Sequence, residues 1–424
     1  MKTIINLLKQ DPRISGYKIN RTEKDSYELF FVRGKLETVR STSTCDREVT
    51  VYADHGGFRG DARFFVYPST TEAELESKIS EAAGNALLID NQPYELPAAE
   101  QSEAQVPGNL SEKPFPELAA EIARLIFDAN KTENGSLNSV EIFLNRYTDT
   151  VCNSRGLHKV QHRCTAMAEA IPTYNGEKQS VELYEQYNFS SLDPTALTRE
   201  ISEKMQEVQA RYEAVKPSEP LSCPVVLNRL ELSDLFSSIA GELNYSTVYS
   251  GENMFSRGDR IQKKVAGDPI TLRMEGAVPG CTGSVCFDSD GLSLTGTDLV
   301  KEGTAVNYYG SSRYGQYLGE TPTGNLRCLR VQPGTLENAD LEKGSYLEIL
   351  SMSGLQVSFY NDYIGGEIRL AYLHTGNTVQ PITGISVAGK LQNVLDTIRL
   401  SRETAVCGNY TGPARALLSG MQIF

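Results

Sequence analysis

The chain has 424 residues, which is long for a single hydrophobic core, so two or three domains are expected. The formal charge of −13 argues against direct binding of nucleic acid, because such binding depends mainly on clustered lysine and arginine. No apolar run reaches the length of a membrane span, and the N-terminus lacks the apolar core of a signal peptide. The eight cysteines include no CxxC pair, so we expect a cytoplasmic protein with reduced thiols and no membrane partner.

The first part of the chain is predicted to contain strands followed by a helix. Aromatic and β-branched residues predict strands at 27–32, 47–52 and 62–68. The glycines of 54–61 are typical of a hairpin turn. Thr71 and Glu74 have the spacing of a capping box, which predicts that a helix begins there.

The next segment changes in character and separates two similar regions. Residues 91–115 contain four prolines and few apolar residues, so we interpret 96–115 as a linker or an exposed loop. A helix is predicted at 116–129, and Asp193 is predicted to cap a long helix ending near Ala214. The strands predicted between these helices are 139–145, 157–170 and 179–188.

Two parts of the N-terminal region resemble each other and predict an internal duplication. YELFFVRGKLETVRS at 27–41 can be aligned with VEIFLNRYTDTVCNS at 140–154. Ile-Ser-Glu also occurs at 79–81 and again at 201–203. The identities are few, so the alternative is that two strand–turn–strand–helix units look alike by chance.

The remaining residues are rich in glycine, with short apolar runs alternating with turns, and predict a large antiparallel β domain. The predicted fold class is therefore α+β, with an α/β N-terminal region followed by a β-rich C-terminal domain. The predicted division is 1–95, 96–115 as the linker, 116–217 and 218–424.

Most motifs that could carry catalysis are absent or poorly placed. His158 and His162 have HxxxH spacing, but on a predicted strand their Cβ atoms lie roughly 13 Å apart, too far to share a zinc ion. There is no GxSxG, SxxK or Walker loop. Cys281 and Cys286 flank a Gly-Ser turn without further ligands, and both are compatible with a core position.

A helix predicted at 230–243 is more informative than these motifs. Its apolar face is formed by Leu232, Leu235, Phe236, Ile239, Ala240 and Leu243. Its other face carries Asp234, Ser237, Ser238, Gly241 and Glu242. Small polar residues suit the wall of a cleft, but they are equally typical of an ordinary solvated face.

Six segments, considered in their order and spacing, indicate a known family: ELFFVRGKLETVRS, DPITL, CFDSDG, TGNLR, GSYLEIL and GISVAGKLQNVLDTIR. By these segments the chain resembles the TldD/PmbA family, whose members are also known as modulators of DNA gyrase, and most closely its PmbA (TldE) branch. The resemblance runs from about Ser26 to the C-terminus. It implies long curved sheets in the N-terminal region and a metalloprotease-like C-terminal domain.

The resemblance also implies a zinc site from which this chain departs. Members of the TldD branch carry HExxxH on a helix and a late Cys-Gly, which together supply the zinc ligands and a general base. On that pattern Ser237 replaces the first histidine, Ser238 replaces the glutamate and Glu242 replaces the second histidine. Gly241 matches the position just before the second histidine. Cys407-Gly408 matches the Cys-Gly, so Cys407 becomes a cysteine-ligand position without its partners. No catalytic residue and no metal site are therefore expected in this chain.

The function implied is that of a PmbA/TldE-like, non-catalytic subunit of a TldD/TldE-type metalloprotease. Such a protease acts in proteolysis and in the maturation of microcin-type peptides. The expected partners are a TldD-like subunit that holds zinc, a second copy of this chain, and unfolded peptide. One alternative is a self-sufficient peptidase that uses Cys407, with His374 approaching in space, or an atypical metal site. Another is a homo-oligomeric peptide-binding protein without catalysis.

Overall fold

A computed structural model of the chain describes residues 1–341 and 344–424. The order helix, strands, helix occurs first in residues 2–86 and again in 115–213. The first unit comprises α1 (Lys2–Gln10), β1 (Gly16–Val32), β2 (Lys35–His55), β3 (Phe58–Val66) and α2 (Glu72–Ala86). After the short strand β4 (Gln101–Gln105), the second unit comprises α3 (Phe115–Ala129), β5 (Gly135–Asn153), β6 (His158–Asn175), β7 (Ser180–Glu182), β8 (Glu185–Phe189) and α4 (Pro194–Glu213).

All of these strands belong to one sheet, in which β1 and β5 are antiparallel neighbours at the centre. The order is β3-β2-β1-β5-β6-β4, and β7 and β8 also pair with β6. The strands are much longer than predicted, because the polar stretches around 20–26 and 40–46 continue the β1–β2 ladder. Such stretches carry little strand propensity, but pairing with a neighbour satisfies their backbone groups.

The helices lie against this sheet through their apolar residues, and their capping signals are confirmed. The Thr71 hydroxyl accepts a hydrogen bond from Glu74 N, while the Glu74 carboxylate accepts one from Thr71 N. Asp193 accepts hydrogen bonds from Thr195 N and Ala196 N at 3.0 Å each. Helices α1 and α2 pack on one part of the sheet, and α3 and α4 pack on another.

The repeated element order supports an internal duplication, but the strand alignment predicted from the sequence is wrong. The β1–β2 turn contains Arg33-Gly34, and the β5–β6 turn contains Arg155-Gly156, so these turns are equivalent. Their spacing of 122 residues is the same as that between 79–81 and 201–203, whereas aligning 27–41 with 140–154 needs a spacing of 113. A match of only a few residues between two strands can arise at several different spacings. The turns are the better guide to the alignment, because Gly34 and Gly156 both have positive φ.

The segment 96–115, predicted to be a linker or an exposed loop, packs along the edge of the sheet. Its strand β4 pairs in parallel with β6, from Gln101 opposite His158 to Gln105 opposite His162. Three of its apolar side chains, Leu96, Val106 and Leu110, are buried. Both of the N-terminal regions predicted as subdomains contribute strands to the same sheet, and their boundaries stay a prediction.

The remainder of the chain is rich in short strands, as predicted. It begins with β9 (Val225–Asn228), α5 (Arg229–Glu242), α6 (Tyr245–Ser250), β10 (Leu272–Glu275), β11 (Thr297–Lys301), β12 (Thr304–Ala305), α7 (Ser312–Tyr317), β13 (Cys328–Val331) and α8 (Asn338–Leu341). It continues with β14 (Tyr346–Met352), β15 (Gln356–Ser358), β16 (Tyr363–Thr375), β17 (Thr378–Ile382), β18 (Ile385–Lys390), α9 (Leu391–Thr397), β19 (Arg399–Leu400), β20 (Thr404–Cys407), β21 (Tyr410–Pro413), β22 (Arg415–Leu418) and β23 (Gln422–Ile423).

Two sheets form this C-terminal part, and their shared core encloses the apolar face of α5. One sheet has the order β12-β11-β10-β13-β21-β20, and the other has the order β19-β22-β9-β14-β16-β18-β23. The predicted antiparallel arrangement is not complete, because β13 pairs in parallel with β21 and β14 with β9. Among the described helices, none is long and apolar enough to cross a membrane.

Candidate functional site

Helix α5 is held rigidly in the C-terminal core. The Asn228 side chain caps it by accepting a hydrogen bond from Leu230 N at 2.8 Å. The apolar face predicted from the sequence is confirmed, since all six of its residues are at most 3% exposed. The Phe236 ring stacks on Tyr410 of β21, with centroids 6.4 Å apart and planes 7° from parallel. This stacking anchors α5 to the hairpin formed by β20 and β21.

The β20–β21 hairpin carries Cys407 immediately before its turn. Cys407 pairs with Tyr410, which leaves Gly408 and Asn409 as a two-residue turn. Gly408 has φ +56°, a conformation that favours glycine, so the turn geometry accounts for its presence. Thr282 N donates a hydrogen bond to Gly408 O at 3.1 Å and ties the turn to the neighbouring loop.

The half-buried Cys407 thiol lies beside charged side chains from α4 and α5. Burial raises its pKa, while a hydrogen bond and the positive charge of Arg229 act in the opposite direction. Glu200 and Asp234 add negative charge near the thiol and raise the pKa further. Arg229 Nη2 is 3.0 Å from Glu200 Oε2, so it links the thiol to α4. A thiol in this setting is held in its protonated, weakly nucleophilic form.

The sequence-predicted site residues do not all gather around this thiol. Ser237 is exposed, and the Ser238 hydroxyl donates to Asp234 O at 2.8 Å, within the helix. The Glu242 carboxylate accepts a hydrogen bond from Met254 N at 2.6 Å at the far end of α5. With a rise of 1.5 Å per residue, Glu242 is about 12 Å along the axis from Asp234. A cleft-facing role for these residues stays a prediction.

Gly241, the remaining helix position, has open space where a side chain would project. Gly408 and Cys407 lie together on the hairpin, as their adjacency requires. The neighbours of Cys407 that sequence reasoning missed are Arg229 and Glu200. Nothing in the local sequence marks them, because Arg229 merely begins a helix and Glu200 lies far from Cys407 in the chain, on α4.

A second group of buried charges lies near α4 and the start of α5. Lys204 Nζ is 2.7 Å from Glu207 Oε2 and 3.2 Å from Glu185 Oε1. Burial raises the pKa of Glu207 to about 6 and that of Glu231 to about 7. The buried Glu231 Oε2 has no hydrogen-bond partner within the described part of the chain. Glu231 is therefore an acid that can carry its proton near neutral pH.

The residues present do not fit a zinc site. Zinc in a hydrolase needs about three protein ligands and an open position. Across residues 1–341 and 344–424, no group of three or more His, Cys, Asp or Glu side chains could hold a metal ion. At Cys407 the nearby positive charge is the guanidinium of Arg229.

The histidines considered as a catalytic base or as a metal-ligand pair lie on strands. His374 Nε2 is 2.9 Å from Glu348 Oε2, and its ring stacks on Tyr346 at a centroid distance of 4.2 Å. His158 and His162 lie on β6, as predicted, and His162 also contacts the Glu103 carboxylate. Strand geometry therefore separates the HxxxH pair.

Cys281 and Cys286, which flank a Gly-Ser turn, have different environments. Cys281 is fully buried beside Cys328, while Cys286 is half-buried. A hydrogen bond from Cys281 lowers the pKa of Cys328. Of the two cysteines considered for the core, Cys281 is therefore a full core residue and Cys286 is only partly buried. The sequence did not indicate that Cys328 is the neighbour of Cys281.

Comparisons with known proteins agree with this architecture. The profile of the family described as PmbA/TldA metallopeptidase C-terminal domain matches residues 220–424. Metalloprotease slr0863 of Synechocystis sp. is 26% identical over 147 residues, which cover 31% of this chain and 32% of the relative. Metalloprotease PmbA of Escherichia coli O157:H7 is 23% identical over 180 residues, which cover 41% of this chain and 39% of the relative. The matches thus span less than half the length of these relatives.

Solved structures extend the likeness to the whole chain at the level of the fold. TldE from Thermococcus kodakarensis superposes with a TM-score of 0.81 at 16% identity, covering 99% of both chains. A candidate modulator of a DNA gyrase from Thermotoga maritima gives 0.79 at 15% identity, covering 100% of this chain and 99% of the other. Residues 220–424 therefore match the PmbA/TldA metallopeptidase C-terminal domain, and the whole chain has the fold of these solved structures.

Proposed function

We propose that this chain is a PmbA/TldE-like subunit of a cytoplasmic TldD/TldE-type metalloprotease and is not itself the catalytic subunit. Its partner is a TldD-like subunit that holds the zinc ion. The assembly acts on unfolded peptides, in proteolysis and in the maturation of microcin-type peptides. This chain forms part of the wall around the partner's site or shapes the access of peptide to it.

The observation that carries this proposal is the set of side chains around α5. The helix presents Ser237, Ser238 and Glu242 where zinc hydrolysis needs two imidazoles and a general base. Burial raises the pKa of the Cys407 thiol on the neighbouring hairpin, and the positive charge near this thiol is that of Arg229. The fold of the family is thus retained around a site whose own side chains do not supply hydrolytic chemistry.

The metal content of the purified chain tests the first part of the proposal. We expect no stoichiometric zinc, because the donor set at Cys407 is incomplete. Elemental analysis after purification without added metal measures this, with Cys407→Ala as the matched control. About one zinc per chain that disappears in Cys407→Ala would contradict the proposal.

Peptide hydrolysis tests the second part and separates the rival functions. We expect no cleavage by this chain alone and chelator-sensitive cleavage after mixing with a TldD-type subunit that has an intact HExxxH. Replacing the glutamate of the partner's HExxxH by glutamine should abolish that activity, whereas Cys407→Ala in this chain should preserve it. Cleavage by the isolated chain that needs Cys407 would favour a self-sufficient peptidase instead. Peptide binding without any cleavage in the mixture would favour a binding protein.

A further inference from the structure

Strand β2 extends beyond the strand that covers it, which leaves part of the sheet edge unpaired. β3 pairs with β2 only from Arg47 to His55, whereas the rest of β2, back to Lys35, pairs with β1 alone. Residues 35–44 are all exposed. An open edge of this kind offers a row of backbone hydrogen-bonding groups to another strand.

The hydrogen bonds of a neighbouring residue show which backbone groups of β2 point out of the edge. Ser15, which directly precedes β1, donates its N–H to Tyr52 O at 2.8 Å, so Tyr52 points towards β1. Backbone direction alternates along a strand, and the β1–β2 pairing is regular from Thr38 to Tyr52. Every second residue from 39 to 45 therefore points its N–H and C=O groups outwards. Within the described part of the chain, these groups have no hydrogen-bond partner.

The sequence of this edge lacks the features that protect an open strand. Natural sheets blunt an exposed edge with proline, lysine, a bulge or a very short strand. Residues 38–46 read TVRSTSTCD, with no proline and no lysine. The Arg40 guanidinium is held back on β1 by a hydrogen bond from its Nε to Glu28 Oε2 at 2.5 Å. The edge is thus rich in strand-forming threonine and valine and is open to a further strand.

A polar cavity of about 350 Å³ lies on one face of the sheet beside this edge. Ser43 of β2 and Asp25 of β1 are opposite each other in the pairing, and both line the cavity. The Ser43 hydroxyl donates to Asp25 Oδ1 at 2.7 Å. Asp25 is exposed and forms no ion pair with any described residue. The cavity therefore holds a carboxylate whose charge is not matched.

The other charged groups that line the cavity already have partners. Glu23 is paired with Arg21 of the same strand. Arg146 is opposite Asp25 on β5, but its guanidinium lies over the Phe115 ring, 5.0 Å from the centroid. A positively charged side chain that enters the cavity thus meets Asp25 as the free acid.

We propose that this edge of β2 binds an extended peptide by strand addition, and that a lysine or arginine side chain of the peptide enters the cavity at Asp25. In strand addition, main-chain hydrogen bonds supply affinity and pockets for alternate side chains supply specificity. A peptide residue opposite Ser43 directs its side chain to the face that carries Asp25. Neighbouring strands lie about 4.8 Å apart, so this residue is roughly 10 Å from Asp25, a gap that a long basic side chain and the carboxylate can bridge. The inference rests on the proposed function in one respect, namely that unfolded peptide is the ligand.

A second copy of this chain is a poorer occupant of the edge than a short peptide. Two copies of the stretch 39–45 use all of their outward groups only when residue 39 of one is opposite residue 45 of the other. In that register Glu37 of one copy falls opposite Arg47 of the other, a place that Val66 of β3 already takes. A short peptide ends before this obstacle.

Fluorescence polarisation with labelled nine-residue peptides tests this inference on the full chain without any partner. The lysine probe alternates threonine and valine around a central lysine, and the glutamate probe has glutamate in its place. We expect the native chain to bind the lysine probe about fivefold more tightly, because Asp25 attracts one charge and repels the other. Asp25→Lys should reverse this preference. Equal affinities of the native chain for the two probes would overturn the role of Asp25.

Backbone-modified probes identify strand addition itself. N-methylation of every second residue removes the N–H groups on one edge of the probe, and methylation of the alternate residues removes those on its other edge. We expect one of these two lysine probes to lose binding and the other to retain it. Equal binding of the two methylated probes would overturn the inference.

Proline variants block the edge on the protein side. Ser43→Pro removes an N–H that points to solvent and not to β1, so the sheet can tolerate it. We expect it to weaken binding of the lysine probe by about tenfold, whereas the control Ser43→Ala, which keeps the backbone N–H, should bind it. Ser41→Pro is a second edge variant in case the first folds poorly, as circular dichroism would show. A folded proline variant that binds like the native chain would overturn the inference, and if neither folds the methylated probes decide.

The remaining outcomes separate the occupants and the two proposals. A native dimer that Ser43→Pro converts to a monomer in sedimentation, with no probe binding by the native chain, would overturn the inference and assign the edge to a second copy. No probe binding by a native monomer would also overturn it and leave the proposed function standing, because cleavage in the mixture with a TldD-type subunit is measured separately. Absence of that cleavage would contradict the proposed function, while probe binding that responds to Asp25→Lys and Ser43→Pro would still support the peptide edge.

Discussion

At the residue scale, the chemistry of Cys407 depends on neighbours that its own segment does not reveal. Burial raises the pKa of the thiol, and the nearby Glu200 and Asp234 add to that effect, while Arg229 opposes it. A catalytic cysteine needs an imidazole or an equivalent base to form its thiolate. His374, the histidine considered for that task, is bound to Glu348. The thiol is thus better placed to pack and hydrogen-bond than to attack a peptide.

The buried acid Glu231 makes the stability of the chain depend on pH. Burial raises its pKa from a usual value of 4.5 to about 7 in the folded chain. Because the folded state holds the proton more tightly, this contribution to stability is fully present below pH 4.5 and is lost as the pH rises through 7.

We predict that Glu231→Gln removes this dependence, because the amide stays neutral at every pH. The free energy of unfolding of the variant minus that of the native chain should increase between pH 4.5 and 7, by about 1.4 kcal/mol per pH unit. Urea unfolding of both proteins at pH 5, 6, 7 and 8 measures it. A difference that is the same at all four pH values would show that Glu231 is already ionised in the fold.

At the element scale, the contact between β3 and α2 depends on one glycine. A Cβ atom at Gly60 would lie 1.7 Å from Ala86 O and 2.7 Å from Ile89 O, where α2 ends. Backbone atoms cannot give way as a flexible side chain can. The two elements can therefore approach this closely only while residue 60 lacks a side chain.

We predict that Gly60→Ala lowers the free energy of unfolding by about 1–3 kcal/mol, because the strand and the helix must move apart. Gly84→Ala is the matched control in α2, where an added Cβ meets nothing within 4 Å. That change should raise the free energy of unfolding by about 0.5–1 kcal/mol, since alanine favours the helix. Denaturant unfolding of the two variants checks the opposite signs, and equal effects would contradict the close contact.

At the scale of the whole molecule, a buried lysine joins the N-terminal sheet to the C-terminal part. Lys159 of β6 is fully buried, and its Nζ lies 2.7 Å from both Glu100 Oε2 and Ser293 Oγ. Gln161 of the same strand accepts a hydrogen bond from Cys286 N at 2.7 Å. These contacts fix β6 against the loop that contains Cys286 and Ser293.

We predict that the chain self-associates as a dimer in the absence of a TldD-like partner. A specific interface of this kind should bury more than about 1,000 Å² in total. Sedimentation velocity across a concentration series from low to high micromolar measures the association. A monomer at every concentration would contradict self-association, and adding a TldD-like subunit to the same sample would then test the heteromeric pairing separately.

The sequence by itself determined the fold class, the capped helices and the apolar face of α5. Capping at Thr71 and Asp193 joins residues only two or three apart, and the face of α5 repeats with the period of the helix. Such signals need no partner elsewhere in the chain. The order of short segments such as GSYLEIL and GISVAGKLQNVLDTIR likewise carried the family resemblance without any structure.

Only the tertiary structure decided the strand lengths, the alignment of the duplicated units and the surroundings of Cys407. Polar residues near 20–26 become strand because β2 and β5 pair with them, and the equivalence of Arg33-Gly34 with Arg155-Gly156 appears only in the paired hairpins. Arg229 meets Cys407 because α5 packs on a distant hairpin. Pairing and ion contacts between remote segments depend on chain topology, which local patterns do not encode.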